Sequence, residues 1–384
     1  MEPVYLDYNA TTPVAPEVAA AIWPYLNEHF GNPSSSHVYG QRARQAVAEA
    51  RVEVAALIGA SPEEIVFTGC ASEANNLAIQ GVAKALAPGK KHLVTSAVEH
   101  PSVMQPFLKL REAGWEVTIL PVDRHGLVGL TAVASALRPD TALVSVMHAN
   151  NEVGTLQSLA AIAALTRPRG ILLHSDAAQS AGKVAVNVNQ LGVDLLTLAG
   201  HKFYAPKGVG ALYVRSGTPL RPVSVGADHE RGLRPGTENV AFIVGLGVAA
   251  RLARLNLPQA TAQLRALRDK LHALLAADIP GLALNGHPEA RLPNTLNLSF
   301  SGVSGQALLA AAASDVAAST GSACHAGSQA VSGVLGAMGL SAAQAAGAVR
   351  LSVGRYTSEA DIERTARALI AAWRQLQMNL MQEQ

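Results

Sequence analysis

The sequence predicts an α/β protein: a large domain on a mostly parallel seven-stranded sheet, joined to a smaller α+β domain. Three observations carry that expectation. Short β-branched runs alternate with Ala-rich helical stretches through the first 240 or so residues, the pattern of repeated strand–helix units. Several of the runs are apolar on both alternations, as strands covered on both faces should be. Beyond that point the alternation gives way to a long helical stretch and single strands.

In chain order, strands are expected at EIVFTG (64–69), HLVTSAV (92–98), EVTILPV (116–122), ALVSVMHA (142–149), ILLHSD (171–176), LLTLAG (195–200) and GALYVR (210–215). Helical patterns fill most gaps, at 72–86, 101–113, 130–138 and 156–167. Residues 240–277 read as helical, with Pro258 as a break or a helix start. A Pro/Gly-marked stretch (279–293), a strand TLNLSF (295–300), a helix (305–312), a Ser/Gly/Ala-rich segment (314–332) and a strand VRLSVG (349–354) follow. Ser358, with Asp361 three residues on, announces the last helix. The expected division is a large domain over 14–255 and a small one from 1–13 and 256–384.

Composition narrows the function. A chain of 384 residues can bury a sizeable core, and 15% charged residues is low against a usual share of about 25%. Lys and Arg total 30 against 28 Asp and Glu, so nothing favours nucleic acid or a membrane as direct partner. The longest apolar run, Val240 to Ala250, is short for a bilayer span. The start, MEPVYLDYNATTP, lacks the apolar stretch of a secretory signal. Two cysteines, Cys70 and Cys324, make neither a disulfide framework nor a CxxC metal site. No metal is expected, and a reducing, cytoplasmic setting fits.

The chemistry gathers at strand ends. Lys202, in LAGHKFYAPKG, could form a Schiff base with a carbonyl compound, although lysines are more often plain surface residues. Asp176 ends an apolar run in HSDAAQ; it could hold a pyridinium nitrogen protonated, or simply cap a helix. Gln179, three residues on, could donate to a phenolic oxygen. In FTGCASEANNLAI a strand turns into a helix whose N-terminus suits a phosphate, with the Ser72 hydroxyl beside it; Ser72 and Asn75 also read as ordinary capping. His100 in VEHPSV could stack on a ring and move protons, or serve only as a turn residue. Small residues surround Cys324 in STGSACHAGS and predict an accessible loop, while Cys70 reads as a packed bystander. Arg355, past a strand end, could pair with a carboxylate.

Together these elements resemble the fold-type I pyridoxal-phosphate enzymes of the class V aminotransferase group, specifically the cysteine desulfurases of the NifS/IscS type. The resemblance runs from LDYNATTP (6–13) through GNPSS, VEHPSV, NNEVGTLQ, HSDAAQ, GHKFYAPKG and RPGTENV to GSACHAG and RLSVGR. It implies pyridoxal 5'-phosphate as cofactor, L-cysteine as substrate, and a homodimer that serves a sulfur-acceptor or scaffold protein. It also implies roles. Lys202 carries the cofactor and moves the substrate Cα proton. Asp176 pairs with the ring nitrogen, Gln179 with the phenolic oxygen, and His100 stacks on the ring. Ala71, Ser72 and His201 hold the phosphate, with Thr237 of the other subunit. Asn9, Asn151 and Arg355 hold the substrate. Cys324, in a loop at about 319–333, takes the sulfur as a persulfide.

About 25 residues separate Cys324 from Arg350, so the chain resembles the longer-loop group of that family. Two positions depart from the family pattern. Ala199 stands where a hydroxyl residue is usual, and Cys70 where glycine is common. Losing one neutral hydrogen bond costs on the order of 1 kcal/mol, so weaker cofactor retention is expected. Selenocysteine lyase is the alternative reading, another class V aminotransferase a lesser one. A scaffold without catalysis is opposed by Lys202, Asp176, His100 and Cys324 together.

Overall fold

The structure, a computed structural model, describes residues 2–87, 89–320 and 332–382. At its centre lies a seven-stranded sheet of β2 (Ile65–Thr68), β3 (His92–Ser96), β4 (Glu116–Leu120), β5 (Thr141–Ser145), β6 (Leu172–Asp176), β7 (Leu195–Ala199) and β8 (Gly210–Val214). The spatial order is β2-β8-β7-β6-β5-β3-β4. Only β8 runs against the others. Strands β2, β3, β5 and β7 are buried at every residue, which explains their unbroken β-branched and Leu-rich runs.

Polar residues inside these strands find partners across the sheet. The His174 ring on β6 meets Ser145 Oγ on β5 at 2.8 Å and Thr197 Oγ1 on β7 at 3.1 Å. Burial holds that imidazole down to about 3, so it is a neutral rung between two hydroxyls.

A second hydrophobic core gathers Leu6, Leu271, Leu298, Phe300, Leu351 and Leu369. It contains β1 (Val4–Tyr5) paired in parallel with β11 (Val316–Ala317). It also contains β10 (Thr295–Ser299), antiparallel to both β9 (Ala283–Asn285) and β12 (Ala348–Ser352). The last helix, Glu359–Gln382, starts as expected: Ser358 Oγ accepts from Asp361 N at 3.1 Å and Asp361 Oδ2 from Ser358 N at 2.8 Å.

One expectation fails. The helix Val240–Asp278 neither breaks nor starts at Pro258. Its first half buries Ile243, Leu246 and Ala250 in the large-sheet core, and its second half buries Leu267, Leu271 and Leu275 in the other. Packing at both ends outweighs the hydrogen bond that proline cannot make. The expected boundary at 255/256 therefore falls inside a continuous helix. The run Val240–Ala250 likewise belongs to a helix that is long and apolar enough, by length and composition, to cross a membrane. Ile243, Leu246, Leu271 and Leu275 on it are buried against the sheet and the second core, while Leu255 is exposed.

Candidate active site

The C-terminal edge of the parallel strands is where α/β sheets gather ligands. Asp176 ends β6 and is 6% exposed. Its Oδ1 accepts from Ala178 N at 2.9 Å, and its Oδ2 from Asn75 Nδ2 at 2.8 Å. Asn75 also donates to Ser102 Oγ at 2.9 Å, and that hydroxyl meets His100 Nδ1 at 2.8 Å. A carboxylate and an imidazole from different strand ends are thus joined through one amide and one hydroxyl. Burial pushes the His100 imidazole down, Asp176 draws it up, and Lys202 pushes it down again. Asn75 and Ser102 have no local signature. They join segments far apart in sequence, and the Ser72–Asn75 spacing reads as simple capping.

Lys202 closes a short turn, Gly200–Lys202, directly after β7. Its Nζ donates to the carbonyls of Asn9 at 2.6 Å and Ala10 at 2.8 Å. Gln179 Nε2 donates to the same Asn9 carbonyl at 2.9 Å. His201 Nδ1 lies 3.1 Å from Thr11 Oγ1, and burial, then Lys202, bring its imidazole down to about 4. Tyr204, two residues past Lys202, has φ 71°, a left-handed conformation that a side chain of this size adopts only under local constraint. Its hydroxyl accepts from Arg355 N at 2.6 Å, and its own N donates to Thr12 Oγ1 at 2.9 Å.

Comparison with known proteins identifies the family. The family model for class V aminotransferases matches residues 4–365. A cysteine desulfurase IscS from Dictyoglomus turgidum is 46% identical over 363 residues, 94% of this chain and 92% of that one. A solved NifS-like protein is 35% identical with a TM-score of 0.90, covering 96% of this chain and 98% of its own. Another solved chain, SspA in complex with cysteine, is 37% identical with a TM-score of 0.83, covering 92% and 99%.

The chain belongs to the class V aminotransferases, among the cysteine desulfurases of the NifS/IscS type.

The donor set fits the cofactor of that family. It comprises a carboxylate held by two N–H donors, a lysine amine, an imidazole and a helix N-terminus, all along one sheet edge. That helix, Ala71–Leu86, presents the first-turn N–H groups of Ala71 and Ser72, which lack intrahelical acceptors. Cys70 is its N-cap, with Sγ accepting from Glu73 N at 3.4 Å. The residue is exposed, so the expected packed bystander is instead a surface cap. At φ −173° its backbone is extended, so no glycine is needed there. Glu73 braces the turn, accepting from Gly69 N at 2.6 Å and pairing with Arg234 at 2.8 Å. Ser72 and Thr237 are exposed, and Ala199 is buried as the last residue of β7.

Two substrate expectations need correction in this cysteine desulfurase. The Asn9 side chain is 1% exposed and fully engaged. Its Oδ1 accepts from Lys183 and Asn294, and its Nδ2 donates to Thr295 Oγ1 and the Asn151 carbonyl. It braces the site from behind and has no group left for a substrate. Arg355 does not reach Asn151 either; it is exposed and paired with Glu17 at 2.9 Å. The arginine that meets Asn151 is Arg350 on β12, whose Nη1 donates to the Asn151 carbonyl at 3.1 Å and Nη2 to Asp7 at 2.7 Å. Its Nε is buried with no hydrogen-bond partner. Both arginines lie in VRLSVGR, and only the in-strand position of Arg350 marks it as the buried one.

Cys324, with most of the expected 319–333 loop, lies outside the described residues. On either side of 321–331 the chain is tied to this same corner. Ser319 and Arg350 exchange backbone hydrogen bonds, and Ser332 Oγ donates to Glu152 Oε2 at 2.5 Å. A cavity of about 310 Å³ also touches Lys202, together with Tyr8, Lys183, Tyr204, Asn294 and Arg355. Of the residues expected at the cofactor it shares Lys202, while His100, Asp176 and Ser72 do not line it. Among the described residues no group of three or more His, Cys, Asp or Glu is placed to hold a metal ion.

Proposed function

We propose that this cysteine desulfurase carries pyridoxal 5'-phosphate on Lys202 and converts L-cysteine to L-alanine. The sulfur is received as a persulfide on Cys324 and passed to an acceptor or scaffold protein, in Fe–S cluster assembly or in tRNA or cofactor thiolation. The observation that carries the reading is the joining of Asp176 to His100 through Asn75 and Ser102, beside Lys202 on one sheet edge. The cysteine held by the solved neighbour SspA supports the substrate.

When bound, the cofactor draws electron density from the substrate Cα and Cβ and so opens the sulfur to a thiolate. Asp176, fixed by Asn75 and Ala178, would hold the ring nitrogen protonated. His100, its imidazole pushed down by burial, would flank the cofactor and could accept a proton there. Gln179 would donate to the phenolic oxygen from the same NH₂ group that meets the Asn9 carbonyl. The N–H groups of Ala71 and Ser72, with His201 and a second copy's Thr237, would hold the phosphate. Asn151 and Arg350 orient the substrate carboxylate, the orphaned Nε of Arg350 being a donor that an anion would satisfy. Lys202 moves the Cα proton. The Cys324 thiolate attacks the substrate sulfur, forming an S–S bond as the Cβ–S bond breaks. The electron pair left on carbon takes up a proton and alanine departs. A reducing cytoplasm would keep that thiol free.

The test is cysteine turnover with pyridoxal phosphate, scoring alanine and sulfide in the wild type and in Cys324→Ala. The wild type should form both products from cysteine, and Cys324→Ala should lose that activity while keeping the yellow cofactor band. Keto acid made from an amino donor, with full activity in Cys324→Ala, would show an aminotransferase instead.

A further inference from the structure

Lys183 is buried, 6% exposed, in the segment after β6, and no step above uses it. Its Nζ donates to Gln179 Oε1 at 2.8 Å and to Asn9 Oδ1 at 3.1 Å. Its backbone carbonyl accepts from Thr261 Oγ1 at 2.9 Å, which ties this segment to the long helix. Both Nζ acceptors are neutral amides. The charges acting on the amine, Lys202 and Arg350, are positive and reinforce burial in weakening its hold on a proton. Buried amines are costly unless their donors are matched. Even a neutral amine keeps two N–H groups, one for each amide oxygen.

Those two bonds decide which way both amides face. Flipping Gln179 would take Oε1 away and leave a Lys183 N–H buried without its acceptor. With Oε1 held, Nε2 turns toward the Asn9 carbonyl, where Lys202 Nζ also points. Asn9 is locked in the same manner. Its Oδ1 is taken by Lys183 and Asn294, so its Nδ2 must face Thr295 and the Asn151 carbonyl.

We propose that Lys183 is a positioning residue: by holding the oxygens of Gln179 and Asn9 it presents the Gln179 NH₂ to the cofactor's phenolic oxygen and sets the carbonyl against which Lys202 rests. This rests on the reading that Lys202 carries pyridoxal phosphate.

The experiment compares wild type, Lys183→Met, Gln179→Met and the double variant. It reads the dissociation constant for pyridoxal phosphate in titrations of apoprotein, and the pH midpoint of the visible absorption band of the loaded enzyme. Each single variant should bind the cofactor about fivefold more weakly, the scale of one lost hydrogen bond. Both should move the midpoint in the same direction, and the double variant should be no weaker than Gln179→Met alone, because Lys183 acts through Gln179. Additive losses, or a lower melting temperature with affinity and midpoint unchanged, would overturn the proposal. If Lys183→Met does not fold, Lys183→Gln takes its place in the same cycle under the same criteria. A wild-type chain that takes up no pyridoxal phosphate would sink the proposed function itself. Normal uptake with additive variants would sink only the role of Lys183.

Discussion

At the scale of single residues, the site depends on polar groups taken out of water and matched one by one. Glu99 shows what happens where the matching is incomplete. Its Oε1 accepts from Ser96 Oγ at 2.6 Å and Met147 N at 2.9 Å, while Oε2 is buried with no partner. Burial pushes this carboxyl from an ordinary 4.5 up to about 8, so it is neutral beside His100 near neutral pH. The unfolded chain releases that proton near 4.5 and the folded chain only near 8. Between those values the folded state holds more protons, so stability falls as pH rises. Glu99→Gln keeps an acceptor for Ser96 and Met147 and cannot ionise. Thermal melts from pH 4.5 to 8 should show a flatter decline in the variant than in wild type. Parallel curves would mean that Glu99 is not the group responsible.

At the scale of elements, what could be read from the sequence depended on whether the signal was local. Asp176, His100 and Lys202 each follow an apolar run, so their place at strand ends is written in the adjoining residues. Asn75 and Arg350 reach the site through contacts between distant segments, which no spacing records, whereas Ser102 and Lys183 lie two and four residues from His100 and Gln179 in motifs that give no hint of their use. Motif position alone points Asn9 and Arg355 at a substrate, and it does not say which way a side chain is used. Pro258 is the reverse case, a true local signal overridden by packing. A proline inside a helix costs roughly 3 kcal/mol, and this one sits exposed between the two buried halves of Val240–Asp278. Pro258→Ala should therefore raise unfolding stability by about 1–2 kcal/mol with no change of fold. Chemical denaturation measures it, and an unchanged midpoint would mean that the helix has already absorbed the defect by bending.

At the scale of the whole molecule, the low charge of the chain meets an apolar surface that the fold leaves open. Trp23, Leu26, Phe30, Val38 and Tyr39 are 64, 56, 70, 62 and 51% exposed, and the Phe30 and Tyr39 rings stack at 5.7 Å. Scattered apolar side chains need no explanation, but five large exposed ones within seventeen residues of chain, two of them stacked, are a surface that solvent would disfavour. We propose that a second copy covers it. An isologous contact of that kind is the commonest way for a soluble chain to bury such a face. It would also let the exposed Thr237 of one copy serve the cofactor cradle of the other. Phe30→Glu places a charge in the middle of the patch, where burial would leave it unpaired. Light scattering should find a dimer for wild type and a monomer for Phe30→Glu, and the monomer should lose pyridoxal phosphate faster on dialysis. A Phe30→Glu dimer of wild-type stability would place the contact elsewhere. A monomer that retains its cofactor normally would separate assembly from the phosphate site and leave Thr237 without its proposed role.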